Sequence, residues 1–109
     1  MSADEARRLR FFLIADARTF LAFALAGVKG GVAEDAEDAR RLLAEARANA
    51  AVGLILITER LARQVRGEVD GLRREGRRPY VLEIPDLTGP LPPGPSFLER
   101  FGALLGVPH

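Results

Sequence analysis

The chain has no cysteine and no tryptophan, and its single histidine is His109, the last residue. Without cysteine there is neither a disulfide framework nor a thiolate metal site. An excess of one charge is missing as well. Sixteen basic residues stand against 15 acidic ones, and a net charge of +1 gives no general attraction to nucleic acid or to a membrane surface. Lys29 is the only lysine among the 16, which points to an arginine-biased genome more than to a function.

Long apolar runs are also absent. Arg7, Arg8 and Arg10 precede the stretch Phe11 to Val28, a superficial likeness to a twin-arginine signal peptide. Asp16 and Arg18 interrupt that stretch after five residues, where a signal's apolar region continues for roughly 7–15. The same two charges argue against a membrane span, which needs roughly 20 apolar residues in succession. The expectation is a cytoplasmic chain without direct membrane insertion.

What remains is the composition of an ordinary globular domain. At 109 residues the chain is one domain by length, with 48% apolar and 28% charged residues to build one modest core. Arg10 to Ala15 (RFFLIA) is a near-continuous apolar run, as in a central parallel strand covered on both faces. Asp16 is positioned to cap a helix over Arg18 to Ala26, where Phe20, Phe23 and Leu25 stand among alanines and Gly27 supplies the stop. So apolar a helix is expected to be buried over most of its surface. Val28 to Ala33 (VKGGVA) reads as a short edge strand, its Gly30-Gly31 pair more a turn signal than a ligand loop.

Asp35 caps a second helix, amphipathic through Ala39, Leu42, Leu43, Ala46 and Ala50. Val52 to Ile57 is again a buried strand. Thr58 caps a third helix carrying Leu61, Val65, Val69 and Leu72 and closed by Gly76. Within it Gly67 and Gly71 share a face and suit the close approach of a neighbouring backbone. Pro79 to Ile84 (PYVLEI) is the fourth strand, with proline at its tolerated first position. This alternation predicts an α/β fold, a four-stranded parallel sheet with right-handed crossovers and helices on both faces.

The chain then changes character. Five prolines and two glycines fall between Pro85 and Pro95, which makes a stiff extended tether. Ser96 and Glu99 form a capping box, and Phe97, Phe101, Leu104 and Leu105 an apolar stripe ended by Gly106 and Pro108. The domain reading is a flexible lead over 1–9, the α/β domain over 10–85, the tether over 86–95 and a C-terminal amphipathic helix over 96–107.

Signs of chemistry are missing. The turn after the first strand, ADART, has no glycine, and no GxxxxGKS or GxxxxGKT motif occurs, so a nucleotide-binding loop is not predicted. A phosphoacceptor site needs an acidic cluster at the strand ends, and the third strand ends in Thr58. Asp16, Glu59 and Glu83 are the candidate acid–base groups, but Asp16 and Glu59 stand at helix starts, where a carboxylate complements the dipole. No catalytic residue, metal or cofactor is expected. Between Glu59 and Arg78 seven arginines face four acids. Arg60, Arg63 and Arg66 are three apart and share a face, open to an acidic partner, although interleaved acids favour a solvated surface. Nucleic acid is not an expected partner.

Three segments together resemble the F subunit of the prokaryotic V/A-type rotary ATPase. They are IADARTFLAFALAGV (Ile14 to Val28), GLILITE (Gly53 to Glu59) and PYVLEIP (Pro79 to Pro85), similar to the family's opening strand with its "GFRLAG" helix end, its "IILITE" segment and its last strand. The resemblance spans Phe11 to Val107. Ala22 and Ala24 stand where the family has glycine and arginine, so a polar contact of the family is missing here.

The resemblance implies a Rossmann-like (flavodoxin- or receiver-like) domain with a mobile C-terminal helix. It implies a non-catalytic central-stalk rotor subunit that binds the coiled-coil D subunit and reaches the A/B catalytic head through that helix. Such a subunit modulates the coupling of ATP hydrolysis or synthesis to proton or sodium transport, peripheral to the membrane within the complex. The expected partner-binding residues are Phe97, Phe101, Leu104 and Leu105, with Arg60 and Arg63. The alternative reading is a stand-alone regulatory α/β domain that holds a small ligand near Asp16 and Thr58.

Overall fold

A computed structural model of the protein describes residues 10–87. Four strands, β1 (Arg10–Ala15), β2 (Lys29–Val32), β3 (Val52–Thr58) and β4 (Tyr80–Ile84), form one all-parallel sheet in the order β2-β1-β3-β4. The helices between them are α1 (Ala17–Ala24), α2 (Ala36–Ala48) and the pair α3 (Glu59–Gln64) and α4 (Arg66–Glu75). This is the expected α/β architecture, consistent with a Rossmann-like fold. The lead over 1–9 and the helix over 96–107 lie outside the described residues, as does all but the start of the tether.

Alternation along the central strands splits the core in two. Ile14, Ile55 and Ile57 point to one face, where α2, α3 and α4 cover them with Ala39, Leu42, Leu43, Leu61, Val69 and Leu72. Leu13, Ala15 and Leu56 point to the other, where Phe23 of α1 is the buried helical partner and Ile84 completes the cluster. Each fully buried Leu, Ile or Phe contributes about 1.5–3 kcal/mol. The cover is unequal because α1 is the only described helix on its side.

The caps form as the sequence predicts. Asp16, Asp35 and Thr58 each accept a hydrogen bond from a backbone N–H three residues on, satisfying one of the free donors of the first turn. Helix α1 closes with Gly27 at φ +86. There the Gly27 N–H donates to the Ala24 carbonyl and the Val28 N–H to the Phe23 carbonyl, the paired bonds of a Schellman ending.

Four expectations change. Gly30 and Gly31 are not in a turn; they lie inside β2, paired with Leu13 and Ile14. The second helix stops at Ala48, and Ala50 is exposed beyond it, because the Asn49 side chain accepts from the Ala51 N–H and draws the chain into a turn. The third helix is two, broken at Val65 (φ −124, ψ 38). Val65 is a weak helix former, and the bend keeps Leu61, Val65, Val69 and Leu72 all buried on one core. Gly67 and Gly71 admit no neighbouring backbone: a Cβ at Gly67 meets nothing within 4 Å, and one at Gly71 meets only Arg74 Nη2 at 3.8 Å.

Candidate functional site

In an open parallel sheet a ligand site is sought at the carboxyl ends of the strands, where neighbouring connections leave for opposite faces. Here that point lies between β1 and β3, and it brings Asp16, Thr58 and Arg60 to one end of the sheet. Local structure occupies all three. The Asp16 carboxylate accepts from the Thr19 N–H at 3.2 Å and the Thr19 hydroxyl at 2.7 Å. Burial raises the Asp16 pKa, but those bonds and the charge of Arg60 outweigh it, and the carboxyl lies below its ordinary value. Thr58 Oγ1 accepts from the Leu61 N–H at 3.4 Å. Arg60 pairs with Asp86 at 3.4 Å.

Cavities lie elsewhere. One, of about 710 Å³, opens at the amino ends of the strands between Arg10, Phe12, Lys29 and Asn49. Another, of about 570 Å³, is a groove between α2 and α4, lined among others by Leu43, Ala44, Gly71 and Leu72. It is bridged by the ion pairs Arg40–Glu68 and Arg47–Glu75. Neither touches Asp16 or Thr58. Among the described residues no three His, Cys, Asp or Glu side chains come together as a metal site.

The arginines divide by the break at Val65. Arg60 is held by Asp86, while Arg63 makes no ion pair among the described residues and is exposed. Arg66, on the other side of the break, turns to β4 and binds Glu83 through both Nη atoms at 2.7 and 2.8 Å; Arg73 adds a third bond at 2.8 Å. The shared face expected of Arg60, Arg63 and Arg66 is therefore interrupted, and Glu83 is a structural clamp. Its partners lie 17 and 10 residues away, so no local spacing signals them.

That clamp predicts a pH dependence. The Arg66 hydrogen bonds push the Glu83 carboxyl down; burial opposes them and Arg73 adds to them, for a pKa of about 2 against an ordinary 4.5. A depressed folded-state value means the stabilisation is fully present above about 4.5 and is lost as pH falls toward 2. The Arg66 and Arg73 side chains are 39% and 41% exposed, so screening limits the contribution to about 1–2 kcal/mol. Glu83→Gln is expected to lose that amount at pH 7 and to match the wild type near pH 2, read from urea melts at both values.

The surface of α1 departs from expectation. Thr19 and Phe23 are its buried residues, while Leu21 is 55% and Leu25 82% exposed. The expectation of a mostly buried helix is overturned: α1 covers the sheet on one side and nothing in the described chain covers the other. Ala17, Leu21, Ala24 and Leu25 make this outer side apolar, with Arg18 its one charge. Beside α1 the same face of the sheet is partly open. Phe11, Leu54 and Tyr80 fall in one row across β1, β3 and β4, with Phe11 39% and Tyr80 55% exposed. The chain leaves β4 on this side, where the Leu87 N–H donates to Thr19 Oγ1 at 3.3 Å. Phe97, Phe101, Leu104 and Leu105 lie outside the described residues. Leu21 is not among the expected partner-binding residues; its only signal in the sequence is its place among apolar residues on every side of one short helix.

Comparison with known proteins agrees with this geometry. The family described as "ATP synthase (F/14-kDa) subunit" matches residues 12–101. The F subunit of the A-type ATP synthase of Methanococcus maripaludis (strain C6) is 30% identical over 84 residues, covering 76% of this chain and 80% of that one. Its counterpart in Pyrococcus furiosus is 36% identical over 86 residues, covering 74% and 79%.

Proposed function

The chain belongs to the family of the ATP synthase (F/14-kDa) subunit, and from that premise we propose that it is the central-stalk component that binds the coiled-coil D subunit of a rotary complex. It is a subunit of a rotary ATP synthase without a catalytic role of its own. The observation that carries the stalk reading is the continuous match from residue 12 to 101, which takes in the sheet domain, the tether and the start of the apolar tail. The geometry supports it. The titratable groups at the strand ends serve as caps and ion pairs, whereas apolar side chains stand uncovered on α1, a division suited to docking and not to turnover.

In this reading the sheet domain grips the stalk, and the C-terminal helix moves between a docked and an extended position. Phe97, Phe101, Leu104 and Leu105 are its contact residues toward the A/B head, and its position modulates how ATP hydrolysis or synthesis is coupled to proton or sodium movement. Arg63, unpaired among the described residues, is a free cation for an acidic partner surface; Arg60 contributes only by giving up Asp86. Among the described residues no helix is long and apolar enough to cross a membrane. In this reading the protein works on the cytoplasmic side, held at the membrane through its complex.

Co-expression with the same organism's D subunit and size-exclusion chromatography of the product test this. Co-elution in a stable complex is expected. Truncation after Pro95 is expected to leave a folded domain that still co-elutes, with altered ATPase coupling in the assembled complex. Separate elution of two folded proteins ends the stalk reading. A truncated chain that no longer melts cooperatively makes the tail part of the core and ends the moving-helix reading.

A further inference from the structure

Every other described helix turns a charged side to solvent: Glu37, Arg41 and Glu45 on α2, Glu59 and Arg63 on α3, Glu68 and Arg74 on α4. Only α1 does not. Leu21 and Leu25 stand one turn apart on its outer side, and Ala17 and Ala24 beside them are too short to hold a neighbour away. Two leucines over a bed of alanine form a ridge that fits between the side chains of a facing helix, with the axes about 8–10 Å apart. Uncovered leucines that lie together, unlike scattered ones, mark an interaction site.

We infer that the outer side of α1, centred on Leu21 and Leu25, is the surface that seats against the helices of the coiled-coil partner. This rests on the stalk reading above and localises its interface. Charge identifies the occupant. No acidic residue occurs from Ala17 to Ala33, while Arg18 lies on the ridge's own side and exposed Lys29 just beyond the helix end. An apolar stripe bordered by acidic side chains complements this surface. A coiled coil closes its own seam between its two helices and keeps charged residues at the flanking positions. The ridge meets a further apolar stripe on the outer side of one of those helices, with acidic flanking residues facing Arg18 and Lys29.

A second copy of the same face does not fit, since a two-fold contact would set cations against cations. The chain's own tail starts on the wrong side. Leu87 is held by Thr19, which is fully buried and lies roughly opposite Leu21 and Leu25 around the helix at about 100° per residue. The last described residue before the tail therefore lies on the sheet-facing side of α1, away from the ridge.

The test is Leu21→Glu/Leu25→Glu, with Leu25→Glu alone as the milder variant, titrated against the purified D subunit. Both positions are exposed, so the isolated variants are expected to melt within about 3 °C of the wild type. Binding is expected to weaken at least 30-fold for the double variant and several-fold for the single one. Wild-type binding that the double variant retains within threefold overturns the assignment of this face and leaves the stalk reading intact. No binding by the wild type removes the stalk reading itself. A double variant that turns a dimer into a monomer while keeping D affinity assigns the face to a second copy. One that melts like the chain truncated after Pro95 while keeping D affinity assigns it to the tail. Either of these also overturns the proposal.

Discussion

Gly30→Ala is expected to lose about 3 kcal/mol of folding stability, the upper end of the usual cost of overpacking, and to shift the urea midpoint without changing the slope. Gly30 is paired with Leu13, a fully buried residue of the inner strand β1. A Cβ there overlaps the Leu13 carbonyl oxygen and sits 2.5 Å from the Leu13 nitrogen. Backbone cannot yield as a side-chain tip can, so relief requires β2 to move away from β1. The next position is a graded comparison. A Cβ at Gly31 meets the Leu42 side chain, Cδ2 at 2.5 Å, and a rotamer change lets Gly31→Ala cost less. Gly67→Ala reverses the sign. Its Cβ meets nothing within 4 Å, it sits in α4, and removing an exposed helical glycine gains about 1 kcal/mol. Equal losses at Gly30 and Gly67 would refute the close approach of β2 to β1.

These glycines show what the sequence could and could not convey. The bounds of β1 and the caps at Asp16, Asp35 and Thr58 were legible because they depend on neighbours one to four residues away. Gly30-Gly31 looks like a turn because the reason for two glycines, the Leu13 backbone and the Leu42 side chain, belongs to other elements. The break at Val65 is hidden for the opposite reason. Leu61, Val65, Val69 and Leu72 keep helical spacing across it, so the pattern looks continuous where the backbone is not. The Glu83 clamp joins a strand acid to arginines on a preceding helix, a pairing that only the crossover creates.

The candidate interface was the least legible part. An apolar helix implies burial when read alone, and on that ground Leu25 reads as a core residue. Its exposure follows from topology. With strands in the order β2-β1-β3-β4, α2, α3 and α4 gather on one face and leave α1 without a described helical neighbour on the other. A helix that is apolar all round is buried in something; here the sheet supplies one side, and a partner is left to supply the other. The tail residues Phe97, Phe101, Leu104 and Leu105 read in the sequence as an amphipathic stripe and lie outside the described residues, and a stripe does not say what it faces.

Phe23→Ala is expected to cost about 3–5 kcal/mol, the largest loss of any substitution considered, and to lower the melting temperature by about 15–25 °C. Phe23 is 2% exposed and is the bulkiest fully buried side chain among the described residues. It fills the smaller of the two cores, against Leu13, Ala15, Leu56 and Ile84. With a single described helix on this face, no second helix can shift to close the cavity. Eight residues are too few for a helix to persist unsupported in water, so α1 depends on this anchor for its existence. Leu25→Ala, two residues on, removes apolar surface that is already in solvent and is expected to change stability by no more than about 0.5 kcal/mol. Binding should invert that ranking. Leu25→Ala weakens the D complex while the fold stays intact, whereas Phe23→Ala weakens it only in proportion to the α1 it unfolds, so saturating D subunit restores much of the lost melting temperature. Thermal melts of both variants with and without D subunit separate the two roles. If Leu25→Ala proved the more destabilising in the free protein, its side chain would be covered there, and the outer side of α1 would no longer be available to a partner.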